Sequence, residues 1–177
     1  VSDIDFEKVK EAALFHFGYP TLMESMYNND GAELVHLMKT VQEKGAATSL
    51  DLAAVDANSK AGQADWVKIL GRTLPYVDFF VPSMEELCFM LDRDKFEELQ
   101  VRAEGGDITD VLDIEQDVKP LAEKCIALGC KVILLKCGAK GMYLQTAGEE
   151  KLAQINDRAG LDAKAWSEKA IFEKSYA

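Results

Sequence analysis

Val77-Asp78-Phe79-Phe80-Val81-Pro82-Ser83-Met84-Glu85-Glu86 is the stretch whose reading decides the fold. Val77, Phe79, Phe80 and Val81 form a short apolar run that stops at Pro82. Ser83 stands where a helix N-cap belongs, and Glu86, three residues on, completes a capping box. Glu85 and Glu86 also suit the positive end of a helix macrodipole. The reading is a buried strand that runs into a helix and leaves carboxylates at the strand's carboxyl end. In open α/β sheets, ligands bind at that end.

The same pattern recurs on either side. Upstream, Ala12–Phe17 reads as a buried strand closed by Gly18-Tyr19-Pro20, and Leu34, Leu37, Met38 and Val41 predict an amphipathic helix stopped at Gly45. Ala46–Leu52 predicts a strand that presents Asp51 near its carboxyl end. A small, polar loop over 53–63 follows, then a helix through Trp66, Ile69, Leu70 and Leu74, ended by Pro75. Downstream, Leu87, Cys88, Met90 and Leu91 continue the helix capped by Ser83. Residues 92–115 are charged, contain Gly105-Gly106 and read as a surface excursion, partly helical through Phe96 and Leu99. Val118, Leu121, Ala122, Cys125 and Ile126 predict another helix, with Gly129 as its cap. Lys131–Lys136 is a strand, and Met142–Gln145 follows it too closely for a crossover, so the two should form an antiparallel hairpin.

This alternation predicts an α/β fold in one domain over residues 1–177. The sheet should be mostly parallel, doubly wound and three-layered, with helices on both faces. Residues 151–177 are not expected to continue it, and the fold of the tail over 146–177 is left open; Ala159–Lys174 could be helical or extended, with Trp166 and Phe172 over an edge.

Composition narrows the function. With 177 residues and 48% hydrophobic content, the chain can bury one core. A net charge of −11 argues against a surface that binds nucleic acid or an anionic membrane electrostatically. No apolar run approaches the roughly 18–20 residues of a membrane helix, and the charged amino end is not a signal peptide. A cytoplasmic protein is expected. Cys88, Cys125, Cys130 and Cys137 form no C-x-x-C pair and read as free thiols of a reducing compartment. His16 and His36 lie apart, so a zinc site is not expected.

The candidate chemistry gathers at strand carboxyl ends: Asp51 with Asp56 and Asn58 beyond it, Ser83 with Glu86, and Gly138 with Gly141. Paired glycines allow backbone to approach a phosphorylated ligand, and a carboxylate such as Glu86 can organise hydrated Mg²⁺ alongside substrate phosphates. Each group also has a purely structural reading: turn, cap or tight hairpin. Walker, G-x-G-x-x-G and G-x-S-x-G motifs are absent.

The succession FGYP, SLD, VDFFVPSMEEL and VILLKCGAKGMYL resembles the middle of a ribokinase-like (PfkB-type) carbohydrate kinase, in order and spacing over roughly residues 10–145. The resemblance implies ATP and Mg²⁺ as cofactors, a sugar hydroxyl as phosphoryl acceptor and a possible homodimer. Glu86 matches the Glu of the family's N-x-x-E segment, which orders Mg²⁺ and phosphate. Ser83 replaces its Asn but keeps a cap. Gly138 and Gly141 match the glycines that border the nucleotide, with Lys136 and Cys137 in place of the usual Thr and Leu. A D-x-N-x-R pattern can be placed either at Asp51 or at Asp56-Ala57-Asn58-Ser59-Lys60, where Lys60 lacks the forked geometry of Arg.

The family's G-A-G-D segment, with its general base and anion hole, does not occur in the sequence, nor does the amino-terminal substrate and lid region. The resemblance therefore implies a general base beyond Ala177, and no catalytic residue is expected within the chain. Both ends read as cut from a longer kinase, and these 177 residues alone are expected to turn over little, because positioning and charge stabilisation carry phosphoryl transfer. Two other readings remain. A sugar- or nucleotide-sensing domain would keep the fold without catalysis. A (β/α)₈ barrel would require all strands parallel, which the predicted hairpin opposes.

Overall fold

The computed structural model describes residues 1–176. Ala177, past which the general base is expected, lies outside the described residues, so that expectation has no counterpart in the fold. A short helix α1 (Phe6–Val9) precedes β1 (Leu14–Phe17), α2 (Glu24–Glu43), β2 (Ala47–Leu50), α3 (Trp66–Thr73), β3 (Phe79–Phe80), α4 (Met84–Leu91) and α5 (Arg93–Arg102). Then come α6 (Lys119–Ala127), β4 (Val132–Lys136), β5 (Gly141–Thr146), α7 (Glu149–Leu152) and β6 (Ala170–Lys174). The six strands form one sheet in the order β1-β2-β3-β4-β5-β6. The pairs β1–β2, β2–β3 and β3–β4 are parallel. The turn between β4 and β5 is too short for a crossover, and that pair is antiparallel with Leu134 opposite Leu144. No helix among the described residues is long and apolar enough to cross a membrane.

Helices α2, α3, α4 and α6 form a continuous row on one face. The periodic residues read from the sequence, Leu34, Leu37, Met38 and Val41, are completely buried there with Ile69, Leu70, Phe80, Leu87 and Cys125. A strictly sequential strand order with crossovers of one hand keeps the long helices on that face. The other layer is thinner. Ala47 and Val132 are covered by Leu152 of α7 and by Ile155, with Leu144 and Leu161 around them. Arg158 latches this segment down, donating to the Gly45 carbonyl at 2.8 Å and to the Lys10 carbonyl at 2.9 Å.

Two expectations need correction. The strand within Ala12–Phe17 is not buried: β1 is an edge strand, with Leu14 47% exposed and His16 facing out. Phe15 and Phe17 turn inward onto the core, and among the described residues no further strand flanks β1 on its outer side. Residues within 151–177 do continue the sheet. β6 pairs antiparallel with β5, Tyr143 opposite Phe172, and Phe172 packs on the core while Trp166 stays largely exposed. The mixture of apolar and charged residues in Ala170–Lys174 suits an edge strand, which carries charge to discourage further pairing. The 92–115 excursion also contributes to the core, through Leu99, Ile108 and Leu112.

The deciding stretch folds as read. Ser83 Oγ accepts from the Glu86 N–H at 3.2 Å, and the Glu86 carboxylate accepts from the Ser83 N–H at 2.9 Å. Ser83→Ala is expected to cost about 1 kcal/mol of stability. A denaturant titration with an unchanged midpoint would show that the cap contributes nothing.

Ahead of β3 and β4 lies a buried ion pair. Asp78 and Lys131 are 2% and 3% exposed, and the Lys131 ammonium meets Asp78 Oδ1. Asp78 Oδ2 accepts from the Thr48 N–H at 2.9 Å. The Thr48 hydroxyl in turn accepts from the Asp78 N–H at 2.9 Å and donates to the Tyr76 carbonyl at 2.8 Å. This network ties the amino ends of β2, β3 and β4, opposite to the end where the candidate site lies.

Candidate phosphate site at the carboxyl ends of the strands

Asp51 is the first residue after β2, Ser83 lies just beyond β3, and Lys136 closes β4. Parallel pairing brings these three positions side by side. The Lys136 N–H donates to the Pro82 carbonyl at 3.0 Å, and Ser83 and Lys136 form a parallel bridge. From β4, the lysine stem reaches past β3 to Asp51, two strand spacings or roughly 10 Å away. Its ammonium lies 3.0 Å from both Asp51 oxygens. Asp51 Oδ1 also accepts from the Leu52 N–H at 2.8 Å. The Asp51 side chain is 15% exposed and that of Lys136 37%, so the pair is partly withdrawn from water with the cation outermost.

Gly138 and Gly141 border Lys136. Both have positive φ, +59° and +133°. A Cβ on Gly138 would sit 2.2 Å from Thr109 Oγ1, and one on Gly141 would sit 2.1 Å from the Glu173 carbonyl oxygen. Glycine is therefore required at both by backbone conformation and by packing against the protein itself. Thr109 is the partner that sequence reasoning missed. Asp107 accepts from both its N–H and its hydroxyl at 2.8 Å, and those two hydrogen bonds hold the Asp107 carboxyl below the usual range. The clue was Ile108 and Leu112, two apolar residues four apart within a charged stretch. Beside the glycines lies an open cleft of about 440 Å³, with Lys136, Met142, Glu173 and Lys174 in its walls. With Lys136 paired to Asp51, Lys174 and Glu173 are the other charged side chains in its lining.

The other sequence candidates are placed apart from this pair. Asp56 spends its carboxylate on a turn, accepting from the Asn58 N–H at 2.8 Å. Lys60 points to Glu24, 3.0 Å away, and with it lines a separate cleft of about 540 Å³ beside Tyr27, Gln63 and Asp65. No hydrogen bond or ion pair among the described residues joins Asn58 or Lys60 to Asp51 or Lys136. Glu86 has one oxygen committed to the capping box.

Among the described residues, no three His, Cys, Asp or Glu side chains are grouped to hold a metal ion. The donors present, one Glu86 oxygen and a lysine-bound Asp51, do not make a protein cage. A hydrated Mg²⁺ would need only one or two carboxylates, bringing its other ligands as water and phosphate oxygen. The four cysteines are free and buried, as expected. Desolvation pushes the Cys88 and Cys130 thiols up to about 12, Cys137 to about 11 and Cys125 well above its ordinary value, which keeps all four as thiols rather than thiolates at neutral pH.

The fold is ribokinase-like. The chain superimposes on a PfkB protein from Polaromonas sp. JS666 with a TM-score of 0.55 and 18% identity, covering 93% of this chain and 53% of that one. Arabidopsis thaliana ribokinase, solved with ribose and ATP, gives 0.54 and 20%, covering 98% and 38%. Fructokinase from Xylella fastidiosa, solved with bound ATP, gives 0.52 and 17%, covering 81% and 38%. The chain thus spans about half or less of the length of these solved structures. In sequence, no family model and no curated protein matches.

Proposed function

We propose that this chain forms the phosphate-handling side of an ATP-dependent carbohydrate kinase, with a sugar hydroxyl as acceptor and Mg²⁺ accompanying the nucleotide. The observation that carries this reading is the convergence of Asp51, Ser83, Lys136 and the Gly138 turn at the carboxyl ends of adjacent parallel strands, the usual ligand-binding edge of such sheets. Lys136 would counter phosphate charge, and the second oxygen of Glu86 would accept from a metal-bound water. Mg²⁺, when bound, would neutralise charge on the transferring phosphate. No residue of this chain is assigned as general base, because the sequence holds no G-A-G-D segment. The 177 residues are therefore expected to bind nucleotide without transferring phosphate.

Calorimetric titration with Mg·ATP, paired with a labelled-phosphate transfer assay over a panel of pentoses and hexoses, tests this. Saturable binding tighter than about 1 mM, the upper end of common enzyme KM values, with no sugar phosphate formed is the expected result. Absence of saturable binding would overturn the reading, and sugar phosphorylation would overturn the absence of a base.

A further inference from the structure

We propose that Lys136 is a phosphate-binding cation held by Asp51 as an exchangeable counter-ion, so that an incoming polyphosphate takes the ammonium from the carboxylate. The inference rests on the nucleotide reading above and adds to it a residue-level device.

Three observations carry it. First, the ammonium lies symmetrically on both Asp51 oxygens at 3.0 Å, so two of its three donors are spent on one anion, and no other partner among the described residues competes for it. Second, the two side chains are unequally placed. Asp51 is fixed by the Leu52 N–H and only 15% exposed, whereas Lys136 is 37% exposed on a flexible four-carbon stem. The cation is the partner free to move. Ion pairs this open to solvent hold weakly, and a polyphosphate offers several charge-assisted acceptors in place of one carboxylate. Third, Lys136 is shared between the pair and the cleft beside Gly138 and Gly141, where Lys174 and Glu173 also lie. On leaving Asp51, the ammonium would swing back over β4 to reach that cleft on the β5–β6 side. The neighbouring Ser83 hydroxyl accepts from the Glu86 N–H, and no hydrogen bond among the described residues joins it to the ammonium.

The exchange makes a prediction with opposite signs at its two ends. Asp51→Asn keeps an acceptor for the Leu52 N–H but removes the charge that holds Lys136, so metal-free ATP should bind more tightly. Lys136→Met should weaken it by about tenfold, the scale of one charge-assisted hydrogen bond. The double variant should match Lys136→Met, because Asp51 acts only through the lysine.

Calorimetric titration of the full chain with ATP and with inorganic tripolyphosphate, in EDTA, tests this. The expected result is tighter binding for Asp51→Asn, weaker binding for Lys136→Met, and partial recovery for Lys136→Arg. If the wild type binds but both single variants stay within about twofold of it, a difference below any counter-ion effect, the exchange is overturned while the nucleotide reading stands. If the wild type binds tripolyphosphate but not ATP, the exchange stands and the nucleotide reading falls. Binding of neither overturns both. Should Lys136→Met fail to fold, Asp51→Asn alone decides: tighter binding supports the exchange, and unchanged or weaker binding overturns it.

Discussion

Replacing Asp78 by Ala is expected to cost about 3–5 kcal/mol of stability, the range found when one member of a buried ion pair is removed. The carboxylate and the Lys131 ammonium are both almost fully buried. Removing the acid strands a lysine charge where water cannot reach it, and it also orphans the Thr48 N–H at the amino end of β2. Lys131→Met should cost a comparable amount by stranding the carboxylate. The informative variant is the double replacement Asp78→Asn with Lys131→Met. Asparagine can still accept from the Thr48 N–H, and no charge remains unpaired, so the double variant should recover part of the loss. Equilibrium denaturation of the wild type, Asp78→Asn, Lys131→Met and the double variant closes a double-mutant cycle. Losses that simply add, or a single-variant loss below about 1 kcal/mol, the ceiling for most exposed pairs, would show that the network is not desolvated as the structure has it.

That ion pair also marks where sequence reasoning stops. The alternation of strands and helices is legible because each element carries its own pattern. Leu34, Leu37, Met38 and Val41 announce a buried helix face, and Ser83 with Glu86 announce the start of α4. What a local pattern cannot convey is which residues meet across the sheet. Asp51 and Lys136 stand 85 residues apart, and their contact depends on β2, β3 and β4 lying side by side in register. Lys131 reads as the polar flank of an apolar strand, because nothing near it in sequence hints at Asp78. β1 and β6 depart from their sequence reading in opposite directions for one reason. Whether a strand lies at an edge depends on its neighbours, so the apolar Ala12–Phe17 reads as interior and the charged Ala170–Lys174 as outside the sheet. The glycines point toward a ligand in the sequence, while in the fold Thr109 and Glu173 already require them.

Asp117 supplies the second large effect, and its two partners should respond unequally. Its side chain is completely buried in the turn just ahead of α6, bound by the Arg102 guanidinium and the Lys95 ammonium, and it accepts from the Asp113 N–H at 2.8 Å. Burial alone would raise its pKa. The Arg102 hydrogen bond, the Asp113 N–H and the Lys95 hydrogen bond outweigh that and hold the carboxyl below the ordinary value. A depressed folded-state pKa means that the group adds stability above its unfolded value of about 3.9 and loses it as pH falls through the folded value. Arg102→Met should therefore cost about 3 kcal/mol at neutral pH, the lower end of the buried-pair range because Lys95 remains. Much of that cost should fade below about pH 4, where protonation of Asp117 removes the uncompensated charge. Asp117→Asn should be milder, since Arg102 and Lys95 are each about one-third exposed or less but can turn to water, and asparagine can still accept from the Asp113 N–H. Unfolding free energies measured from pH 3 to 7 for the wild type and both variants test the asymmetry. Equal losses for the two replacements, or a loss in Arg102→Met that does not shrink in acid, would mean that the carboxylate is held by something other than these cations.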